Sequence, residues 1–125
     1  MKIRKDESKV VTVTAEQITS GKDLGMEAVC LCCTPEVVYE IEKKAAQRFR
    51  FESSNSAITM THGGKPIHHH INADVDADAT RLKLTAKGDA PEWAHAKATL
   101  FFRALGEDQP AKGGLDPDVS NGGHA

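Results

Sequence analysis

Two alternating runs meet at a pair of glycines, and that junction constrains the fold more than any other feature of the chain. Ala57-Ile-Thr-Met-Thr-His62 alternates apolar and polar residues, Gly63-Gly64 follows, and Lys65-Pro-Ile-His-His-His-Ile71 alternates again. Alternation of period two marks a half-buried strand, and a two-residue turn with positive φ at both centres joins two such strands. The register follows from the turn: His62 faces Lys65, Met60 faces Ile67 and Ile58 faces His69. Ile58, Met60, Ile67 and Ile71 then share one face, and Thr59, Thr61, His68 and His70 share the other. A slip by one residue would turn the apolar set to water, so register and patterning support each other.

Other elements are placed around this hairpin. Val10-Val-Thr-Val-Thr14 is β-branched and alternating, which predicts a strand with Val11 and Val13 inward. Residues 15–26 carry turn formers without a period and are expected to be a loop, whereas 27–33 fit either a strand or the approach to a helix. Thr34-Pro35 is a helix-start pattern, with a capping hydroxyl followed by proline at the first helical position. Val37, Val38, Ile41, Ala45 and Phe49 then recur at helical spacing, with Glu40, Lys43, Lys44 and Gln47 outside. Residues 72–79 form an Asp-rich loop, and Arg81–Ala86 a strand with Leu82, Leu84 and Ala86 inward. Asp89-Ala-Pro-Glu92 is a capping-box pattern, and Ala94, Ala98, Phe101 and Leu105 mark a second helix. From Gly106 onward five glycines, two prolines and few apolar residues predict a disordered tail over 106–125. The expected fold is α+β: an open-faced β-sandwich over residues 9–105, behind an arm at 1–8. It has one antiparallel-type four-stranded sheet with two main helices on a single face and His68 and His70 on the open face.

Charge and length then exclude several function classes. The 125 residues carry sixteen basic and eighteen acidic side chains, a net charge of -2, which argues against nucleic-acid binding through bulk positive charge. No apolar run approaches the roughly 18 residues of a membrane span, and the opening MKIRKDESK lacks an apolar signal core. A cytoplasmic protein is expected. The three cysteines crowd into Cys30, Cys32 and Cys33, too close to staple a fold, so they read as reduced thiols.

Element order and wording together resemble the HPr family of phosphocarrier proteins. The segment ITMTHGGKPI is similar to that family's hairpin, LKLTAKGDAPEWAHAKATLFFRAL to its last strand and helix, and LCCTPEVV sits where the family carries its phosphorylated histidine. On this resemblance Cys32 stands at the histidine position and Thr34 at the assisting arginine, with only Pro35 retained. The resemblance implies a divergent member without phosphohistidine chemistry, leaning to docking rather than catalysis. The implied partner is a protein, such as a sugar phosphotransferase component. Its working surface would be Cys32, Cys33, Thr34, Pro35 and Val38 at the helix start, with the neighbouring loop 72–79.

Rival readings attach to the same residues. A thiolate at Cys32, favoured by a helix N-terminus, could carry a phosphoryl or other group, or the cysteines could be small buried apolar residues. The cysteine cluster with His62, His68, His69 and His70 suggests a metal module. His68 and His70, however, stand about 7 Å apart on a strand, and the pattern is expected to be a solvated polar face. Asp74, Asp76 and Asp78 have the first spacings of a calcium loop but lack its glycine and glutamate, so no metal site is expected. A helix-then-strands order also fits an RNA-contacting domain like the ribosome hibernation factors, without their basic helices. No cofactor motif, Ser-His-Asp arrangement or pair of catalytic carboxylates stands out, and Gly63-Gly64 is a turn rather than a nucleotide fingerprint.

Overall fold

The computed structural model describes residues 8–22, 25–31, 36–53, 56–87, 93–105 and 114–121, with only the backbone of residues 68 and 93–95. Strand formation dominates. Eleven strands and two short helices form among the described residues, so the expected four-stranded sheet under two main helices is not the fold.

Strand β1 (Lys9–Val13) keeps the predicted alternation, with Val11 and Val13 buried. Helix α1 (Ala15–Ser20) follows where a loop was expected. Thr14 caps it: its Oγ1 accepts from the Gln17 N–H at 3.2 Å, and Gln17 Oε1 accepts from the Thr14 N–H at 2.8 Å. Gly21 ends the helix at φ 71, a left-handed position that suits glycine. Strand β2 (Val29–Cys30) is short. Strand β3 (Val37–Ile41) overturns the first predicted helix. Val37, Tyr39 and Ile41 face the core with Val38 on the opposite side, so the run satisfies period two as well as the helical stripe. β-branched and aromatic residues buried on both faces favour the central strand. With Val37–Ile41 extended, the expected helix does not run through residues 37–41; its expected start at Thr34-Pro35, and Cys32 ahead of it, lie outside the described residues.

Helix α2 (Lys43–Ala46) is a single turn leading into β4 (Phe49–Phe51). Strand β5 (Ile58–His62) and β6 (Lys65–Pro66) form the predicted hairpin, with His62 opposite Lys65 and both turn glycines at positive φ, 61 and 80. The second arm then departs from the expected strand. Ile67 still donates its N–H to the Met60 carbonyl at 2.9 Å, but His68–His70 turn into a 3-10 helix and Ile58 pairs with Leu100 instead of His69. The open-face placement of His68 and His70 on a strand is therefore corrected, although Ile67 and Ile71 are buried as expected. Strand β7 (Ile71–Val75) takes the first half of the supposed Asp-rich loop, and β8 (Arg81–Ala86) forms as predicted, with Leu82 and Leu84 inward.

The second predicted helix is strand β9 (Trp93–Leu100) followed by β10 (Phe102–Ala104). Its alanines suit a helix, but Ala96, Ala98, Leu100 and Phe102 alternate and are all buried, while Lys97 between them is exposed. Small inward side chains let β9 sit centrally between β5 and its other neighbour. That neighbour is β11 (Asp118–Asn121), drawn from the segment expected to be a disordered tail. Leu115 exchanges backbone hydrogen bonds with Leu100 at 2.7 and 2.9 Å and is fully buried, and a Cβ on Gly114 would overlap the Thr99 side chain.

Three sheets result: β1-β3-β8-β7, β2-β11-β9-β5-β6 and the ribbon β10-β4. β1 runs parallel to β3, and β2 parallel to β11; the other pairings are antiparallel. Inward side chains of all three meet in one hydrophobic cluster. Tyr39 lies inside it at 0 % exposure, and its hydroxyl has no hydrogen-bond partner among the described groups.

Candidate functional site

The turn between β7 and β8 gathers charged side chains of both signs at two clefts. Asp76 organises it. Its Oδ1 accepts from the backbone N–H of Thr80 at 3.0 Å and of Arg81 at 3.2 Å, and its own N–H donates to the Arg81 carbonyl. Aspartate suits this task because its short carboxylate reaches the backbone just ahead of it. Two further bonds tie the turn to its surroundings. Ile41 donates its N–H to the Thr80 carbonyl at 2.9 Å, and Phe51 donates its N–H to the Ala79 carbonyl at 2.8 Å. The turn is thus held by β3 on one side and by β4 on the other.

Ala79 marks the tightest point. Its φ of 58 is the one positive value at a non-glycine residue among those described. Such a conformation crowds the Cβ against the backbone and is kept where the surroundings over-determine it. A β-branched side chain would be worse. We expect Ala79→Val to lower stability by about 1–2 kcal/mol in denaturant melts, and Ala79→Gly to leave it unchanged or higher; equal melting of all three proteins would show the turn to be unstrained.

An open cleft lies on each side of this turn. One, of about 480 Å³, is lined by Arg50, Glu52, Ser53, Asp76, Ala79 and Arg103 among others. The second, of about 600 Å³, is lined by Glu40, Lys43, Asp76, Asp78, Thr80 and Arg81 among others. Charges of both signs face each cleft. Arg103 Nε donates to Glu52 at 2.8 Å, and Arg81 pairs with Glu40 at 2.5 Å across the β3–β8 ladder. These pairs are solvent-facing and add little to stability, each within about 1 kcal/mol. They leave a polar, preformed surface that offers both charges to a partner.

Val38 belongs to the same sheet face. In register it stands between Val10 and Lys83, and Lys83 pairs onward with Asp74. It is itself only 6 % exposed, so the accessible apolar surface there is Val10, at 52 %. The other expected site residues, Cys32, Cys33, Thr34 and Pro35, lie outside the described residues. Cys30 is half-buried in β2, an edge strand.

Histidines divide between two places. His62 is exposed at the hairpin end, and the His69 and His70 rings lie 4.0 Å apart in the 3-10 turn. Among the described residues no group of three His, Cys, Asp or Glu side chains stands close enough to hold a metal ion. No described helix is long and apolar enough to cross a membrane.

The run Arg48-Phe-Arg-Phe51 reads as turning extended at the end of the first expected helix, where β4 forms, whereas the matching signal at Phe102-Arg-Ala104 is one that sequence reasoning missed. Arg50 and Arg103 alternate outward beside inward aromatics, Phe49-Arg-Phe51 and Phe102-Arg-Ala104, which is a strand pattern in both places. Tyr39 had no such signal, since nothing local says that its hydroxyl ends in the core. Burial pushes its phenol well above the ordinary value of 10.0, and the Asp118 carboxylate pushes it further the same way. No protein-family model matches the chain, and no curated protein matches it.

Proposed function

We propose that this protein is a cytoplasmic docking module that binds a partner protein through the β7–β8 turn and its two clefts. One observation carries the reading: a turn fixed from both sides by backbone hydrogen bonds presents carboxylates and cations together at two open clefts. Preorganised surface loses little conformational entropy on association, and interspersed charge selects partners and speeds encounter. The mixture of signs suits a protein surface better than a polyanion. The crowded cysteines support a reducing compartment. The phosphotransferase partner implied by the sequence resemblance is not carried into this proposal, because strands β3 and β9 stand where that resemblance implies helices. The RNA-contacting alternative loses its element order for the same reason.

Exchange of two exposed charges at the second cleft tests the reading. Lys43 and Asp78 are exposed and make no described side-chain hydrogen bond, so Lys43→Glu with Asp78→Lys is expected to melt like the parent. Immobilised parent protein should retain a stoichiometric partner, released by salt and by excess free chain. The double variant should bind that partner about tenfold more weakly or worse. Equal retention by parent and double variant would place the working surface elsewhere.

A further inference from the structure

The solvent face of the β4–β10 ribbon sets two like charges directly opposite each other. Arg50 and Arg103 are register partners, bracketed by bonds from the Glu52 N–H to the Phe101 carbonyl at 3.1 Å and from the Leu105 N–H to the Arg48 carbonyl at 2.7 Å. Residues paired in this way stand about 5.5 Å apart at Cα. Like charges directly opposite on one sheet face are destabilising, and an anion between them reverses the sign. On the opposite face the Phe51 and Phe102 rings stack at 4.9 Å inside the core, so both arginines rise from a fixed base.

The groups around the pair define what is missing. Among the described residues Glu52 answers Arg103 alone. Arg50 donates through Nη1 to the carbonyls of Ala46 and, at 2.9 Å, Phe49, and meets no carboxylate among the described residues. Asp76 lines the same cleft, but its Oδ1 is occupied by the turn. Ser53 adds a hydroxyl to the wall. We infer that the cleft between Arg50 and Arg103 binds a phosphate group. A carboxylate has two oxygens and fills one guanidinium fork. A phosphate group offers three acceptor oxygens and nearly two negative charges, enough to serve two guanidinium groups and a hydroxyl at once. Glu52 is the built-in competitor, because phosphate reaches Arg103 by displacing it.

Titration of the full chain, followed by backbone amide NMR at constant ionic strength, tests this directly. Inorganic phosphate and O-phosphoserine are the probes, and glutamate is the carboxylate control. We expect saturable shifts of the Ser53, Val75 and Ala79 amides with at least one phosphate probe, and at least tenfold weaker binding of glutamate. The tighter of the two phosphate probes identifies the source, free or esterified. Arg103→Gln should weaken binding by about tenfold or more. This variant carries the test, because Arg103 is largely exposed whereas Arg50 also caps α2. Glu52→Gln should tighten binding about three- to fivefold by freeing Arg103, an effect that a purely structural role for Glu52 does not produce. Shifts that fail to saturate, glutamate binding as tightly as phosphate, or an Arg103→Gln protein that folds and binds unchanged would each overturn the site. The docking proposal stands or falls separately, on the Lys43 and Asp78 exchange.

Discussion

A chain that stops after residue 113 should not fold. The missing segment contains β11, which lies between β2 and β9 and is the sole described link between them. Its loss leaves β2 without a ladder and exposes the backbone groups along one side of β9. It also removes Leu115 and Val119, both fully buried, and opens the core where they sat. Each such side chain contributes about 1.5–3 kcal/mol by burial alone. Unpaired backbone groups add further cost, against a total stability of about 5–15 kcal/mol for a domain of ordinary stability. The truncated chain should show collapsed amide dispersion and no cooperative melt. Leu115→Ala is the graded version, with an expected loss of about 2–5 kcal/mol. A truncated protein that melts cooperatively near the parent temperature would show β11 to be an accessory strand.

Tyr39 should stay protonated in the folded protein at pH values where an ordinary tyrosine has ionised. It is the chain's one tyrosine, so the tyrosinate absorbance band reports it alone. Below about pH 10 the folded and unfolded chains both hold the proton, and the phenol contributes no pH dependence. Above that value the unfolded chain releases the proton while the folded chain keeps it. Stability therefore falls as pH rises, by up to about 1.4 kcal/mol per unit from this group. The absorbance change should coincide with loss of the far-UV circular dichroism signal. Tyr39→Phe should remove this part of the alkaline sensitivity. It should also raise stability near neutral pH by about 1 kcal/mol, since it deletes a buried hydroxyl that lacks a partner. A tyrosinate band rising near pH 10 with the native spectrum intact would place the phenol in water.

The Gly63-Gly64 turn and strands β1, β5 and β8 were legible in the residues; the long-range pairings were not. Gly63-Gly64 announces its hairpin because only a positive-φ pair joins two alternating runs so tightly. Val11, Val13, Leu82 and Leu84 declare their faces by alternation. Val37–Ile41 misleads because its apolar positions satisfy both periods, and burial on both faces erases the contrast that separates them. Trp93–Leu100 misleads through composition: alanine favours helices, yet its spacing here is that of a strand. Thr14-Ala-Glu-Gln17 is a capping box, a readable helix start that the turn formers around it obscure. Leu115, Pro117 and Val119 alternate inside a glycine-rich stretch, where a disorder argument from average composition hides them. As for the site, the acidic residues at 74, 76 and 78 were visible as a loop beside a working surface. The clefts were not, because β4 and β10 meet from opposite halves of the chain.

The pairing of Val29 with Val119 also sets a timetable. During synthesis β2 emerges early and must wait, unpaired, for nearly the whole remaining sequence to be translated. Until then β9 is an open edge, with buried-type residues such as Ala98 and Leu100 facing an unfinished core. At about 5–20 residues per second this interval lasts several seconds, long compared with hairpin formation in microseconds. The β5–β6 hairpin can therefore form on the ribosome, whereas the five-stranded sheet closes only after residue 121 has emerged. Chaperone dependence should accordingly be greatest for ribosome-bound chains stalled between the emergence of β9 and that of β11.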